Sequence, residues 1–256
     1  NLGIAKIILV GHFAKVKEQL EHYSCSKPDH IELHDPMTSP LKEEFSKSFY
    51  NLRKHKGITR SEAEKQVASN LVYAALLVKH GYADGTLSGS VETTSNVVKT
   101  ALWVIGKATN VNTVSSCFLI FPKTYEPMIY ADCGLVIEPN ESELVDITMA
   151  ASQTCRALLK SDPRVALLSF STKGSANHRN IEKTVGALKK LKALLPDLLI
   201  DGELQFDAAI DSVVGSKKAP ASKVAGNANV MIFPNLDAGN IACLLYTSDA
   251  ADEDLR

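Results

Sequence analysis

Short apolar runs alternate with long amphipathic stretches along most of this chain. "KIILVG" (residues 6–11) is apolar and β-branched, the pattern of a buried strand, with "NLGIA" before it reading as the end of a helix. "FAKVKEQLEHY" has helical spacing, and "IELHD" (31–35) reads as a second strand. "LKEEFSKSFYNLRKH" (41–55) sets Leu41, Phe45, Phe49 and Leu52 on one helical face. "GITRSEAEKQVASNLVYAALLVKHG" (57–81) reads as one long helix. Thr59 with Glu62 three residues on is a capping box, and Gly81 stands where a helix ends. "SNVVKTALWVIGKA" (95–108) is a further helix, capped by Thr93 or Thr94. The strands "TVSSCFLIF" and "MIYADCGLVI" precede the helix "ESELVDITMAASQTCRALLKS". "RVALLSF" is then a strand, "HRNIEKTVGALKKLKALLP" a helix, and "LLID" and "NVMIFP" two more strands.

This alternation implies an α/β protein with a mainly parallel sheet covered by helices on both faces. A polar turn at 109–112 separates the Trp103 helix from "TVSSCFLIF". It is the expected boundary between a first domain, 1–110, and a second, 111–242.

The 256 residues allow one large domain or two of ordinary size, and 45% apolar content supports a full core. A net charge of −1, with no block of like charge, points away from nucleic acid and anionic membranes. Five cysteines (Cys25, Cys117, Cys133, Cys155, Cys243) are scattered without a CxxC. That favours a reducing cytoplasm over a disulfide framework or zinc knuckle. No apolar run reaches the ~18 residues of a membrane span, and no signal peptide is read.

The familiar catalytic motifs are missing: no GxxxxGK[ST], GxGxxG, GxSxG or HExxH. What remains is a set of polar loops after strands, which line ligand crevices in open parallel sheets: "ADGTLSGSVETTSN", "SFSTKGSAN", "IDGELQFDAA" and "FPNLDAGN". In the first, Gly85 and Gly89 allow close backbone approach, and Ser88, Ser90, Thr93 and Thr94 offer hydroxyls. The helix start that follows favours an anion. The stretch reads as a phosphate or carboxylate cradle, or as a helix cap and tight turn. Arg53, Lys54, His55 and Lys56 form a basic cluster that suits a solvated helix C-terminus as well as an anion. "STKGS" offers Lys173 and the Gly174 backbone, or is an ordinary loop. Trp103, with Leu102 and Ile105, reads as core, and Cys133 as a buried small residue rather than a nucleophile.

Taken in order, "LRKHKGIT", "YADGTLSGSVETTSNVVKTAL", "VALLSFSTKGSA", "LLIDGELQFDAAI" and "KAPASKVAGNANVMIFPNLDAGNIA" resemble the phosphate acetyltransferase (phosphotransacetylase) family from about residue 35 to 242. The resemblance implies an isocitrate/isopropylmalate-dehydrogenase-like fold of two α/β domains with the active site in the cleft between them, in a homodimer. It implies reversible transfer of acetyl between coenzyme A and phosphate, with acetyl phosphate as partner. The thiolate attacks in a ternary complex, with no bound cofactor, metal or acyl-enzyme. Arg53 then falls on an arginine that helps hold coenzyme A, and Ser88, Gly89, Thr93, Thr94 and Lys173 are expected to bind substrate. Where the family reads "TTAxxxRPALQ" this chain reads "TTSNVVKTALW", so Lys99 and Thr100 replace Arg and Pro. Lysine keeps the charge without the planar fork, and weaker substrate binding is expected. Where the family commonly has Asp then Asn, this chain has Asn235 then Asp237. Phosphate butyryltransferase and a non-catalytic, metabolite-binding regulatory domain share the fold and are the alternatives.

After "GNIA" the family continues to a Ser-Arg-Gly motif with a nearby Asp, taken to carry catalysis. Here the chain ends "CLLYTSDAADEDLR", which looks like the translation of a transposon-end sequencing adapter. Residues 243–256 are therefore expected to be non-native, without reason to fold, on a fragment lacking both ends and inactive as given.

Overall fold

β1 (Ile7–Val10) and β2 (Ile31–His34) lie parallel, Ile7 opposite Ile31, in a two-stranded sheet. The structure is a computed structural model and describes residues 5–22, 31–109 and 111–253. The helix end expected in "NLGIA" (save Ala5), Tyr23 at the end of the first helix, Cys25 and Asn110 lie outside the described residues. The chain divides into two units, Asn1–Ala108 and Thr109–Arg256.

In the first unit, α1 (Phe13–His22) follows β1, and α2 (Lys42–Arg53) is extended by a 3-10 turn at Lys54–Lys56. Phe45 and Phe49 of α2 are fully buried, and Leu41 and Leu52 half-buried. The burial expected of β1 is not met: Ile7 is 41% exposed and the next three residues are half-buried, since β1 pairs only with β2 among the described residues.

The helix expected over 57–81 is two helices, α3 (Arg60–Val67) and α4 (Asn70–Lys79). Ser69 between them is extended, at ψ 131°, and its N–H turns back to the Gln66 carbonyl. Serine and asparagine compete with the helical backbone, and the packing exploits the break. α3 buries only Ala63 and Val67. The redirected α4 buries Val72, Tyr73, Ala75, Leu76 and Leu77 on most of its circumference. Both end signals hold. Glu62 N–H donates to Thr59 Oγ1 at 3.2 Å, Thr59 N–H donates to Glu62 Oε2 at 2.8 Å, and Gly81 has φ +76°. α5 (Thr94–Val104) closes the unit.

The second unit holds β3 (Phe118–Ile120), β4 (Met128–Ala131), α6 (Glu141–Thr154), β5 (Arg164–Leu168), α7 (Arg179–Leu194), β6 (Leu199–Leu204), α8 (Phe206–Ile210), α9 (Ser212–Lys218), β7 (Val230–Ile232) and α10 (Leu236–Glu253). The strand order is β3-β4-β7-β5-β6, parallel throughout except for the β3–β4 pair. Strand side chains alternate between two cores. Met128, Tyr130, Ala166, Leu168 and Met231 join the α10 side, and Ile129, Val165, Leu167, Val230 and Ile232 join α6 and α7. Period-2 alternation of apolar residues on both faces marks a sheet covered on both sides.

Both strands expected around residue 120 are shorter than read. Asp132, buried at the end of β4, accepts hydrogen bonds from Ser116 N–H (2.9 Å), Ser116 Oγ (2.6 Å), Gly134 N–H (2.7 Å) and Leu135 N–H (2.9 Å). The carboxylate turns the chain after Ala131 and pins the segment before β3 outside the ladder. α6 itself passes into a π turn, Cys155–Leu159, rather than running on as a helix to Ser161.

The expectation that residues from 243 onward have no reason to fold is corrected: α10 runs through Glu253. Cys243 is 1% exposed against Cys133, and Tyr246 donates its hydroxyl to the Phe121 carbonyl at 2.8 Å. A helix already nucleated at 236–242 propagates at little cost, and these two side chains give the extension a buried face.

Candidate functional site

In the first unit, α2 delivers Arg53 at its last turn and α5 carries Lys99. Both cations reach one indole. The Arg53 guanidinium carbon lies 4.6 Å from the Trp103 ring and Lys99 Nζ lies 4.5 Å from it. Lys99 and Trp103 are one turn apart on α5, where side chains share a face. The core reading holds for Trp103 in part, since it is half-buried and packs against the core of Phe45 and Tyr73, and is corrected for Leu102 and Ile105. α5 turns Thr100 and Val104 inward, leaving Trp103 half-exposed and Leu102 and Ile105 44% and 37% exposed. Residues 84–92 form an exposed irregular loop in which Gly89 has φ +119°, and a Cβ there would meet open space. Thr93 is the N-cap of α5, its Oγ1 accepting from Asn96 N–H at 3.3 Å, and Thr94 is the first helical residue. Asn96 Nδ2 also donates to Glu92 Oε2 at 3.0 Å. So Ser88, Gly89, Thr93 and Thr94 are exposed around the start of the helix that carries Lys99.

In the second unit, the other three loops leave the carboxyl ends of β5, β6 and β7 together, the usual position of a ligand crevice in a parallel sheet. They enclose a pocket of about 360 Å³ lined by Phe170, Phe206, Phe233, Lys183 and Asn235 among others. Phe206 and Phe233 stack edge-on against Tyr130, centroids 5.9 and 5.3 Å away. Asn235 caps α10, its Oδ1 accepting from Ala238 N–H at 3.0 Å.

Lys173, in the second unit, does not line this pocket. Its ammonium pairs with Asp201 and donates to the Gly202 carbonyl at 2.9 Å. The neighbouring Gly174 N–H donates to Glu203 Oε1 at 2.7 Å, and Ser171 Oγ to the same oxygen at 3.0 Å. Both donors read as anion-binding thus already hold the protein's own carboxylates, on a strand that runs past the expected "LLID" to Leu204 because its backbone pairs with Leu167 and Leu168 of β5. Burial opposes ionisation of Asp201. Hydrogen bonds from Lys173, Ser222 and the Gly202 N–H, with the Lys173 charge, outweigh it and hold the carboxyl below the ordinary range. Cys133 is fully buried, and burial followed by the Cys243 thiol pushes its own thiol far up, so it has no nucleophilic character.

Comparison with known proteins adds a decisive observation. The family model described as phosphate acetyl/butaryl transferase matches residues 1–251. This chain belongs to the phosphate acetyl/butaryl transferase family. The phosphate acetyltransferase of Clostridium acetobutylicum is 42% identical over 244 residues, 93% of this chain and 73% of the relative. That of Thermoanaerobacterium thermosaccharolyticum is 41% identical, over 93% of this chain and 74% of the relative. Among solved structures, the EutD phosphotransacetylase from Staphylococcus aureus superposes with a TM-score of 0.82 at 35% identity, covering 95% of this chain and 74% of that one.

One expected departure from the family pattern falls in the first unit. The ordered loops that carry the family resemblance include position 99, where a lysine leans on Trp103. At 235 and 237 the residues present suit their places: Asn235 is a good cap, and Asp237 in the first turn of α10 suits the helix dipole. Two residues were missed in the sequence. Trp103 looks like any apolar helix position, and Asp132 sits inside an apolar run with no spacing signal.

Proposed function

We propose that the parent protein is a phosphate acetyltransferase, exchanging acetyl reversibly between coenzyme A and phosphate. The carrying observation is 42% identity to a phosphate acetyltransferase over 93% of this chain. The first-unit geometry supports the reading. Arg53 and Lys99 supply two positive charges, and Ser88, Gly89, Thr93 and Thr94 supply hydroxyl and backbone donors for a phosphate group. In the reaction the coenzyme A sulfur forms a bond to the acetyl carbonyl carbon. The carbon–oxygen bond to phosphate breaks, phosphate leaves with the electron pair, and the thiol proton passes to a base. A free thiol titrates near 8.5, so a base and fixed charges are both needed. Lys173 acts indirectly, ordering its loop through Asp201.

The same proposal takes the fold as isocitrate-dehydrogenase-like with two domains, and the enzyme as homodimeric and cytoplasmic. Among the described residues no helix is long and apolar enough to cross a membrane. No Ser-Arg-Gly string occurs in the 256 residues, so we expect this chain to bind coenzyme A without turnover. Thioester absorbance with acetyl phosphate and coenzyme A, beside calorimetric coenzyme A binding, tests both parts. Turnover by this chain would overturn the expected inactivity. Failure to bind coenzyme A would overturn the functional reading, and preference for butyryl phosphate by the natural full-length enzyme would move it to the butyryl member.

A further inference from the structure

We propose that Trp103 is a positioning residue that binds Arg53 and Lys99 into a single anion-holding pair for a phosphate dianion. The proposal rests on the functional reading above and assigns the indole a role in it.

Cations in the structure meet two kinds of partner, carboxylates and aromatic rings, the Tyr50 ring beside Arg60 being a second case of the latter. Lys173, Lys183, Lys218 and Arg164 each pair with a carboxylate. Arg53 and Lys99 have no carboxylate partner among the described residues, and the contact each makes is with Trp103. Two like charges drawn to one ring repel each other. They stay because the electron-rich face of the indole attracts both, and a site with two uncompensated positive charges is matched by an ion carrying two negative ones. The aromatic face also answers a weakness of lysine. An ammonium on a flexible stem has no fork to fix its direction. A ring one turn along the same helix restricts its rotamers before the ligand arrives, lowering the ordering cost of binding.

Trp103 is the chain's sole tryptophan, so its emission reports on this site alone. Titrating the 256-residue chain with inorganic phosphate at constant ionic strength should change that emission saturably, and chloride should not. Arg53→Gln and Lys99→Gln should each weaken phosphate binding by about tenfold or more, the loss of one charge-assisted contact. Trp103→Leu, read by calorimetry, should weaken it by roughly fivefold with an unchanged circular-dichroism spectrum. Trp103→Phe keeps a ring and should recover most of that loss. Wild-type affinity in Trp103→Leu would overturn the inference while leaving the phosphate site in place. So would equal loss in Trp103→Leu and Trp103→Phe, which would reduce the indole to packing. No saturable phosphate response in the unmutated chain would overturn both this inference and the placing of phosphate at Arg53 and Lys99.

Discussion

At the scale of single residues, position 99 carries a lysine where the family resemblance leads one to expect an arginine. The lysine retains charge but offers one point donor where an arginine offers a planar pair. In the natural full-length enzyme, Lys99→Arg should lower the Michaelis constant for acetyl phosphate several-fold with little change in kcat. Unchanged constants for both substrates would show that the fork is not what is missing. Asp201 makes a second prediction. Its carboxyl is held below the value near 3.9 expected in the unfolded chain. The unfolded state therefore binds the extra proton first, and stability contributed at neutral pH drains away as pH falls from about 4 through the folded value. Asp201→Asn should lower the urea midpoint at pH 7 and flatten its fall below pH 4, and an unaltered acid limb would refute this. Much at this scale was legible. A cap at Thr93 or Thr94 follows from hydroxyl chemistry and the start of a periodic run, and the structure places it at Thr93. The contact at Trp103 was only half legible: the i,i+4 spacing to Lys99 is in the sequence, but helical periodicity has no means of showing that Arg53, from another helix, meets the same indole.

At the scale of elements, the signals at chain ends were sound and the continuity between them was not. Thr59 and Gly81 mark a true beginning and a true end, yet a break at Ser69 divides the interval, since a helix interior of Ala, Ser and Asn carries no stop signal as strong as glycine or proline. Thr59→Ala should cost about 1 kcal/mol in denaturant unfolding, and a neutral result would place the stability of α3 wholly in its packing. Strand lengths near residue 120 were over-read for a different reason. A buried carboxylate outcompetes the β ladder for backbone donors, and periodicity cannot register a side chain acting as an acceptor for four groups. Asp132→Ala should strand those donors and destabilise the protein by at least about 3 kcal/mol. A loss below 1 kcal/mol would mean that water replaces the carboxylate. The short helices α8 and α9, five and seven residues long, are beyond the reach of periodicity altogether.

For the molecule as a whole, the α/β class and the family were readable because several loops occur in one order, although each alone is ordinary. The strand order was not readable, since adjacency in a sheet is set by crossovers that leave no local trace. That order carries a consequence for how the chain is made. β7 lies between β4 and β5, yet among the described strands of this sheet it is synthesised after all the others. Until residue 232 has left the ribosome, β4 and β5 have no shared neighbour, and their facing edges and half of each core must wait uncovered. Nascent chains stalled before Ala228 should be captured by chaperones and cleaved readily by protease, whereas chains stalled far enough beyond α10 for it to clear the tunnel should become resistant in one step. The second unit is in this sense locked by its final strand, and its vulnerability during synthesis is set by the time spent waiting for three residues, Val230, Met231 and Ile232.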